Sequence, residues 1–244
     1  ETAKIVNPTK TVLLPDLDAG CSLADSAPAD KFRAWKEAHP DHFVVSYINC
    51  STEVKAMSDL ICTSSNAKKM IESIPKDKKI LFAPDKVLGR YLIQQTGRDM
   101  ILWDGSCQVH EFFSELELIK IINRNMNAEV LAHPECPDNI LSYADFIGST
   151  KELIMHTAQS DSKEFIILTE TGVIHEMQRL SPDKTFITVP GMDGCNCNNC
   201  PYMRLNTLDK IVAALENMEP RIEIEESLRL AALKPLEKML ELSK

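Results

Sequence analysis

Short runs of apolar residues alternate along the chain with longer segments whose apolar positions recur at helical spacing. The apolar runs are 44–49, 79–83, 100–103, 128–133, 165–168 and 186–189, and the helix-like segments include 87–95 and 173–180. Runs of this length are typical of strands, and strands that alternate with amphipathic helices form parallel sheets covered on both faces. The pattern therefore predicts an α/β fold.

The order of these segments repeats at a nearly constant spacing. The equivalent pairs are Asn49 and His133, 84 positions apart, Ser64 and Ser149, 85 apart, and Asp59 and Asp145, 86 apart. Each repeat consists of strand, helix, strand, helix and strand, followed by a loop that carries cysteine. A recurring supersecondary unit of this kind predicts repeated three-layer α/β/α units with short parallel sheets.

Two complete units are predicted, at 25–110 and 111–203. Residues 1–24 match only the end of such a unit, with a last strand at 11–14 and a cysteine loop at Cys21. We therefore expect three units around a pseudo-threefold axis, with most of the first lying outside this sequence.

The C-terminal segment 204–244 is predicted to be helical and to pack back on the first unit. The pair Asn206-Thr207 can cap a helix over 208–218. A second helical stretch covers 222–242 and is expected to kink or restart at Pro235, because proline has no backbone N–H to donate.

Composition and charge narrow the classes of partner. The chain is 44% hydrophobic and 26% charged, which is typical of a globular protein. Its net charge of −9 argues against nucleic acid as a main partner, because binding phosphates requires a positive surface. No apolar run approaches the roughly 20 residues that span a bilayer, and no signal peptide opens the sequence. We predict no membrane association and a cytoplasmic location.

Three loops present cysteine after an apolar strand and a glycine-bearing turn. The first carries Cys21, the second Cys107, and the third Cys195, Cys197 and Cys200. The other three cysteines, Cys50, Cys62 and Cys136, are interpreted as small buried apolar residues.

Thiolates from three loops that meet at the carboxyl ends of strands suit soft metals and iron–sulfur clusters. A zinc knuckle requires close ligand pairs, which the wide separation of Cys21, Cys107 and Cys200 does not provide. Three cysteines on a four-iron cluster would leave one iron without a protein ligand, and that iron could act as a Lewis acid. For the third loop alone, a local metal or disulfide motif remains the alternative.

Polar groups also cluster where other strands end. Tyr47 and Asn49 end one strand, and His133 and Glu135 hold the equivalent place in the next repeat. A neighbouring imidazole and carboxylate can transfer protons. The pairs Thr63-Ser64 and Ser149-Thr150 lie where strands give way to helices, so their hydroxyls bind a carboxylate or phosphate, or simply cap helices. His110, three residues after Cys107, is expected to line the metal cavity.

Several of these stretches, taken together, resemble the quinolinate synthase family. The matching segments are Tyr-Ile-Asn-Cys-Ser-Thr-Glu-Val-Lys (47–55), Ile-Cys-Thr-Ser-Ser-Asn-Ala (61–67), Pro-Asp-Lys-Val-Leu-Gly (84–89), Gly-Ser-Cys-Gln-Val-His (105–110), His-Pro-Glu-Cys-Pro (133–137), Gly-Ser-Thr (148–150), Thr-Glu-Thr-Gly (169–172) and Cys-Asn-Asn-Cys-Pro-Tyr-Met (197–203). They occur in the family's order and cover nearly the whole chain.

The resemblance implies three α/β/α domains around a pseudo-threefold axis and a [4Fe–4S] cluster held by one cysteine from each. By motif, the ligands would be Cys21, Cys107 and Cys200, the last because it directly precedes Pro-Tyr-Met. Cys195 and Cys197 would then be extra thiols, with Cys197 as the alternative ligand.

The implied reaction condenses iminoaspartate with dihydroxyacetone phosphate to quinolinate, with loss of phosphate and two waters, on the route to NAD. A functional link to L-aspartate oxidase is also implied. The catalytic residues would be Tyr47, His133 and Glu135, and the substrate-binding residues Tyr47, Asn49, Ser64, His133, Glu135, Ser149 and Thr150. The family's first-domain residues have no counterpart in this sequence, so we expect this chain alone to have reduced activity or none.

Two other functions compete with this one. The enzymatic alternative is another three-cysteine [4Fe–4S] enzyme, of the diphthamide-synthesis type, which cleaves S-adenosylmethionine. His133-Pro134-Glu135 and Thr63-Ser64, as small-substrate motifs, argue against it. The non-enzymatic alternative is an inactive, truncated metal-binding scaffold or a metal-free α/β scaffold.

Overall fold

A computed structural model of the chain describes residues 1–191 and 198–244. The expected extra thiols Cys195 and Cys197 lie outside these residues. The chain divides into two compact units, one formed by 1–105 together with 201–244, the other by 106–200.

The first unit contains four strands and nine helices in its described residues. They are α1 (Thr2–Val6), α2 (Ser22–Asp25), α3 (Ala29–Glu37), β1 (His42–Tyr47), α4 (Thr52–Met57), β2 (Leu60–Cys62), α5 (Ala67–Glu72), β3 (Lys79–Ala83), α6 (Lys86–Thr96), β4 (Met100–Leu102), α12 (Pro201–Arg204), α13 (Leu208–Asn217) and α14 (Glu226–Ser243). The second unit contains α7 (Gln108–Glu111), α8 (Glu115–Arg124), β5 (Glu129–Ala132), α9 (Asp138–Leu141), β6 (Phe146–Ile147), α10 (Thr150–Gln159), β7 (Glu164–Leu168), α11 (Val173–Leu180) and β8 (Thr185–Thr188).

Each unit is built on a four-stranded sheet in which every pairing is parallel. The strand order is β2-β1-β3-β4 in the first unit and β6-β5-β7-β8 in the second. The central strands β3 and β7 are buried over four consecutive residues each, as expected for a sheet covered on both faces. The predicted α/β fold with repeated parallel sheets is confirmed.

The repeat extends to individual hydrogen bonds. In the first unit, Asp59 Oδ2 accepts from the backbone N–H of Val44 at 2.8 Å, and the Asp59 N–H donates back to the Val44 carbonyl. In the second, Asp145 and Val130 make the same pair of contacts, with the side-chain bond also at 2.8 Å. The aspartate before the second strand therefore fixes its register against the first strand in both units.

The predicted helices agree closely with the structure. The helix predicted over 87–95 is α6, and the one over 173–180 is α11 with the same bounds. Asp85 begins α6 by accepting from the backbone N–H of Val87 and Leu88 at 2.7 and 2.9 Å. Thr207 caps α13 as expected, its side chain accepting from Lys210.

The last helix differs from its prediction in two ways. It begins at Glu226, because Glu225 accepts from the backbone N–H of Ser227 and Leu228 and so defines the N-terminus. It also continues through Pro235 without restarting. Packing stabilises this interruption, since Pro235 and Leu236 are buried and α14 packs against α4 and β2.

Helix α14 packs mainly against α4 and β2, and also against α1 and α5. The run 11–14 lies outside both parallel sheets and makes one antiparallel bridge, between Leu13 and Arg221. The division of the chain at residues 24, 110 and 203 stays a prediction. None of the helices in the described ranges combines the length and apolar character that crossing a bilayer requires.

Candidate active site

The carboxyl ends of β5, β6 and β7 bring together the candidate residues of the second unit. His133 directly follows β5, and its backbone N–H donates to the carbonyl of Leu168, the last residue of β7. Gly148, which directly follows β6, donates to the Ala132 carbonyl at the end of β5. Thr169 follows β7. This edge is where parallel sheets usually bind ligands, because the loops after neighbouring strands converge there.

A buried group of two histidines and one carboxylate occupies this edge. His110 Nδ1 lies 3.1 Å from Glu135 Oε2, and His133 Nδ1 lies 3.8 Å from Glu135 Oε1. The two imidazole rings stack with centroids 4.9 Å apart. His133 and Glu135 are each 3% exposed, and His110 is 7% exposed. His110 Nε2 also lies 3.0 Å from the hydroxyl of Thr169.

His133 is electrically neutral at physiological pH. Burial lowers its pKa to about 4; the Glu135 carboxylate opposes this shift and His110 adds to it. The Glu135 backbone N–H donates to His133 Nδ1 at 3.4 Å, so that nitrogen carries a lone pair. The ring proton is therefore on Nε2, where it can be donated to a bound anion or carbonyl oxygen.

The hydroxyl of Ser149 has a structural role at the start of α10. It donates to Glu152 Oε2 at 2.6 Å and accepts from the Glu152 N–H, while the Ser149 N–H donates to the same carboxylate. This is a complete capping box, so Ser149 caps α10, as the helix-capping alternative predicts. Thr150, the next residue, is exposed.

The candidate residues of the first unit also share one sheet edge. Tyr47 ends β1 and pairs in register with Cys62, which ends β2. Tyr47 is buried, Asn49 is exposed and Ser64 is half-buried. Ser64 does not cap α5, because that position is taken by Asn66, whose side chain accepts from the Thr63 N–H.

The six described cysteines fall into two classes by exposure. Cys50, Cys62 and Cys136 are buried, which confirms their interpretation as core residues, and Cys21, Cys107 and Cys200 are half-exposed. Burial raises the pKa of Cys50 to about 11 despite the nearby Lys55, and burial also raises the pKa of Cys62.

The half-exposed thiols share a local setting. Cys21 is the N-cap of α2, Cys107 is the N-cap of α7, and Cys200 directly precedes α12. Each therefore lies directly before a single helical turn, and the backbone of Cys21 and of Cys107 is extended. Cys21 belongs to the first unit and the other two to the second.

The loop that carries Cys200 is fastened to the turn after β7. The Cys200 N–H donates to Glu170 Oε1 at 3.2 Å. The Thr171 N–H donates to the carbonyl of Asn198, and its hydroxyl bonds the side chain of Asn199. These contacts give Cys200 a defined position in the second unit.

Sequence reasoning missed three contacts of this site. The contacts of His110 with Glu135 and Thr169, and of Glu170 with Cys200, were not predicted. One signal was available for Glu170, which is the repeat equivalent of Asp85, 85 positions away. No periodicity identifies Thr169, because its contact depends on where α7 places His110.

Comparison with known proteins decides the family. The family model described as Quinolinate synthetase A protein matches residues 1–241. The chain belongs to the quinolinate synthetase A family. A quinolinate synthase of Nostoc punctiforme is 58% identical over 243 residues, which is all of this chain and 75% of that protein. A quinolinate synthase of Chloroherpeton thalassium is 61% identical over 245 residues, covering all of this chain and 76% of that protein.

Membership of the quinolinate synthetase A family confirms the resemblance inferred from the motifs. The relatives carry the name of an enzyme, so the chain is a member of an enzyme family. The match does not favour the diphthamide-synthesis alternative.

Proposed function

We propose that this protein catalyses the quinolinate synthase reaction. In that reaction iminoaspartate and dihydroxyacetone phosphate condense to quinolinate, releasing phosphate and two waters, on the route to NAD. The names of the relatives support the reaction class. The observation that carries the proposal is the buried group of His110, His133 and Glu135 at the carboxyl ends of the second sheet.

The proposed cofactor is a [4Fe–4S] cluster held by Cys21, Cys107 and Cys200. The donor chemistry fits, because the half-exposed described cysteines are these three and each lies in the same local setting before a helical turn. When bound, the cluster supplies an iron without a protein ligand, which polarises a substrate oxygen as a Lewis acid.

Proton transfer is assigned to the second unit. Glu135 accepts a proton during enolisation and dehydration, since its carboxylate faces the ring nitrogens of two histidines in a buried site. His133 donates a hydrogen bond from Nε2 to the substrate. Its low pKa keeps the ring neutral, and Nδ1 already accepts from the Glu135 N–H, so the ring proton is on Nε2. Loss of either group is expected to slow the chemical step.

Substrate binding is assigned to both units. Tyr47, Asn49 and Ser64 lie at the carboxyl edge of the first sheet, where phenol, amide and hydroxyl groups can bind carboxylate or phosphate oxygens. In the second unit we assign this role first to Thr150 and second to Ser149, because the N–H and hydroxyl of Ser149 already bond Glu152.

The proposal also includes the cellular context. It places the protein in the cytoplasm and includes a functional link to L-aspartate oxidase.

Two measurements test the proposal together. Anaerobic protein is analysed for iron and sulfide and by electron paramagnetic resonance, and then assayed for quinolinate with the Nostoc punctiforme relative as reference. Roughly four irons per chain, lost in Cys107→Ser, are expected. Failure of metal-free protein to form a cluster on anaerobic reconstitution would overturn the cofactor, and a methionine-derived product from S-adenosylmethionine would favour the diphthamide-type alternative.

Glu135→Gln tests the chemical role, with Glu176→Gln as the matched control. Both variants neutralise one carboxylate of the second unit, but Glu176 is half-exposed on α11 and pairs with Arg179. Quinolinate formation should fall by about a hundredfold or more only in Glu135→Gln, the usual size of a general acid–base contribution.

A further inference from the structure

Three different metal-binding atoms converge inside the second unit. A thiol sulfur from Cys107, an imidazole nitrogen from His110 and a carboxylate oxygen from Glu135 all lie within 4.8 Å of one another. His110 and Glu135 are buried and Cys107 is half-exposed. This set differs from the three thiols of the proposed cluster, with which it shares one residue.

The orientation of His110 is that of a metal ligand. Its Nδ1 is buried and has no hydrogen-bond partner of acceptable direction among the described residues, although Glu135 Oε2 is only 3.1 Å away. This separation leaves room for an ion that both atoms could bind. Two ligands about 2.0–2.2 Å from a tetrahedral zinc ion are themselves separated by roughly 3.3 Å.

Thr169 completes the arrangement around the imidazole. Its hydroxyl lies 3.0 Å from His110 Nε2 and can accept the proton of that nitrogen. Nδ1 is then left with its lone pair beside the Glu135 carboxylate. Metal-binding histidines commonly donate their second N–H to an oxygen in this way, which fixes both the tautomer and the ring orientation.

We propose that Cys107, His110 and Glu135 form a mononuclear site for a divalent transition metal ion when no cluster is bound. Mixed sulfur, nitrogen and oxygen donors suit Zn²⁺, Co²⁺ or Fe²⁺ and not Mg²⁺ or Ca²⁺. A thiolate and a carboxylate neutralise the two positive charges, as a largely buried site requires. The thiol proton is released when the ion binds.

Because Cys107 is shared, the ion and the proposed cluster exclude each other. Zinc would thus block cluster assembly by occupying one of its ligands, without any contact with Cys21 or Cys200. This consequence rests on the proposed function, whereas the mononuclear site itself does not.

Cobalt binding to anaerobic, metal-free protein tests the site. We expect one Co²⁺ per chain, a near-ultraviolet charge-transfer band of the size given by a single thiolate, and visible bands typical of four-coordinate cobalt, all displaced by Zn²⁺. Cys107→Ser should abolish the charge-transfer band. Thr169→Val should weaken binding by about tenfold or more, the usual effect of losing such a supporting hydrogen bond.

Cys200→Ser is the matched control, because it removes a half-exposed thiol of the same unit that is not a ligand of this site. It should leave the cobalt spectrum unchanged. Loss of the band in Cys200→Ser, or full affinity in both His110→Ala and Glu135→Gln, would overturn the inference. Circular dichroism verifies that each variant is folded.

Iron incorporation separates the two proposals. Protein preloaded with one equivalent of Zn²⁺ should take up markedly less iron and sulfide than metal-free protein. Equal uptake would contradict the mutual exclusion. Failure of the metal-free protein to form a cluster would instead count against the proposed function, while cobalt binding would still support the mononuclear site.

Discussion

The carboxylate of Glu170 holds the backbone of Cys200. Glu170 Oε1 accepts from the Cys200 N–H at 3.2 Å, while Oε2 accepts from the Gly172 N–H at 2.6 Å. One side chain therefore joins the turn after β7 to the loop that presents the third proposed cluster ligand. The thiol itself is untouched by this contact, so Glu170 acts on its position.

Substitution of Glu170 should weaken iron retention at the proposed cluster site, and more so when both of its hydrogen bonds are lost. Glu170→Ala loses both acceptors, and Glu170→Gln keeps only one. A hydrogen bond to a charged group contributes roughly 1.5–3 kcal/mol, so we expect iron loss to a chelator to become about tenfold faster or more in Glu170→Ala. Glu170→Gln should lie between it and the unsubstituted protein.

The control for charge is Glu176→Gln, which removes the same charge from a half-exposed position on α11. It should release iron at the unsubstituted rate. Equal rates in Glu170→Ala and Glu176→Gln would show that Cys200 keeps its position without this contact.

Alkylation should separate the cysteines into two groups. Iodoacetamide on folded, metal-free protein is expected to modify Cys21, Cys107 and Cys200 and to leave the buried thiols unmodified. Burial prevents access, and the raised pKa values of Cys50 and Cys62 also reduce the thiolate fraction. Tandem mass spectrometry locates the labels.

The reconstituted protein provides the comparison for this experiment. The three half-exposed thiols should become protected when the proposed cluster is bound, and all thiols should react in guanidinium chloride. Rapid labelling of Cys62 in the folded protein would contradict the buried position of β2.

Acid should destabilise the protein through His133. Its folded pKa of about 4 lies below the ordinary value of 6.5, so between these pH values the unfolded chain binds a proton that the folded chain excludes. The free energy of unfolding therefore falls as pH decreases through that window, by roughly 3 kcal/mol from this group.

Urea unfolding followed by circular dichroism at a series of pH values measures the effect. His133→Gln should lack this component of the pH dependence, whereas His175→Gln, on the exposed face of α11, should keep it. If the free energy of unfolding depends on pH in the same way in His133→Gln and in the unsubstituted protein, the pKa of His133 is not lowered by folding.

Ser149 and Thr150 should respond oppositely to truncation. Ser149→Ala removes the capping box of α10 and should cost about 1 kcal/mol of unfolding free energy. Thr150→Ala leaves the cap intact, so stability should hardly change, but affinity for dihydroxyacetone phosphate should fall if the exposed hydroxyl binds it. Thermal unfolding and ligand titration on the same two variants distinguish the roles. A stability loss in Thr150→Ala without any loss of affinity would reverse the assignment.

The repeat and the strands were predictable because each depends on local sequence. Buried parallel strands such as β3 and β7 are continuous apolar runs, and the aspartates at 59 and 145 recur because the same backbone N–H must be paired in each unit. The burial of the core cysteines was equally predictable, since Cys62, for example, lies within an apolar run.

Side-chain pairings between distant loops were not predictable in the same way. The contact of His110 with Thr169 joins residues 59 positions apart, and its geometry follows from the orientation of a one-turn helix. The continuation of α14 through Pro235 likewise depends on packing against α4 and β2, which overrides the local preference of proline. Glu170 lies between these two cases. The repeat predicts its position, but its hydrogen bond with the Cys200 N–H depends on a side chain longer than that of Asp85.

Asp85 and Glu170 illustrate what identical architecture permits. Each accepts from the backbone N–H two residues later, but the longer glutamate also reaches a second loop. The same divergence separates Tyr47 from His133 at the next equivalent strand end. Under the proposed function, the two copies of one scaffold present different chemistry at matched strand ends, a phenol in the first unit and an imidazole beside a carboxylate in the second. Acid–base chemistry could therefore be moved between the copies by exchanging side chains at matched positions, with the backbone of each sheet left as it is.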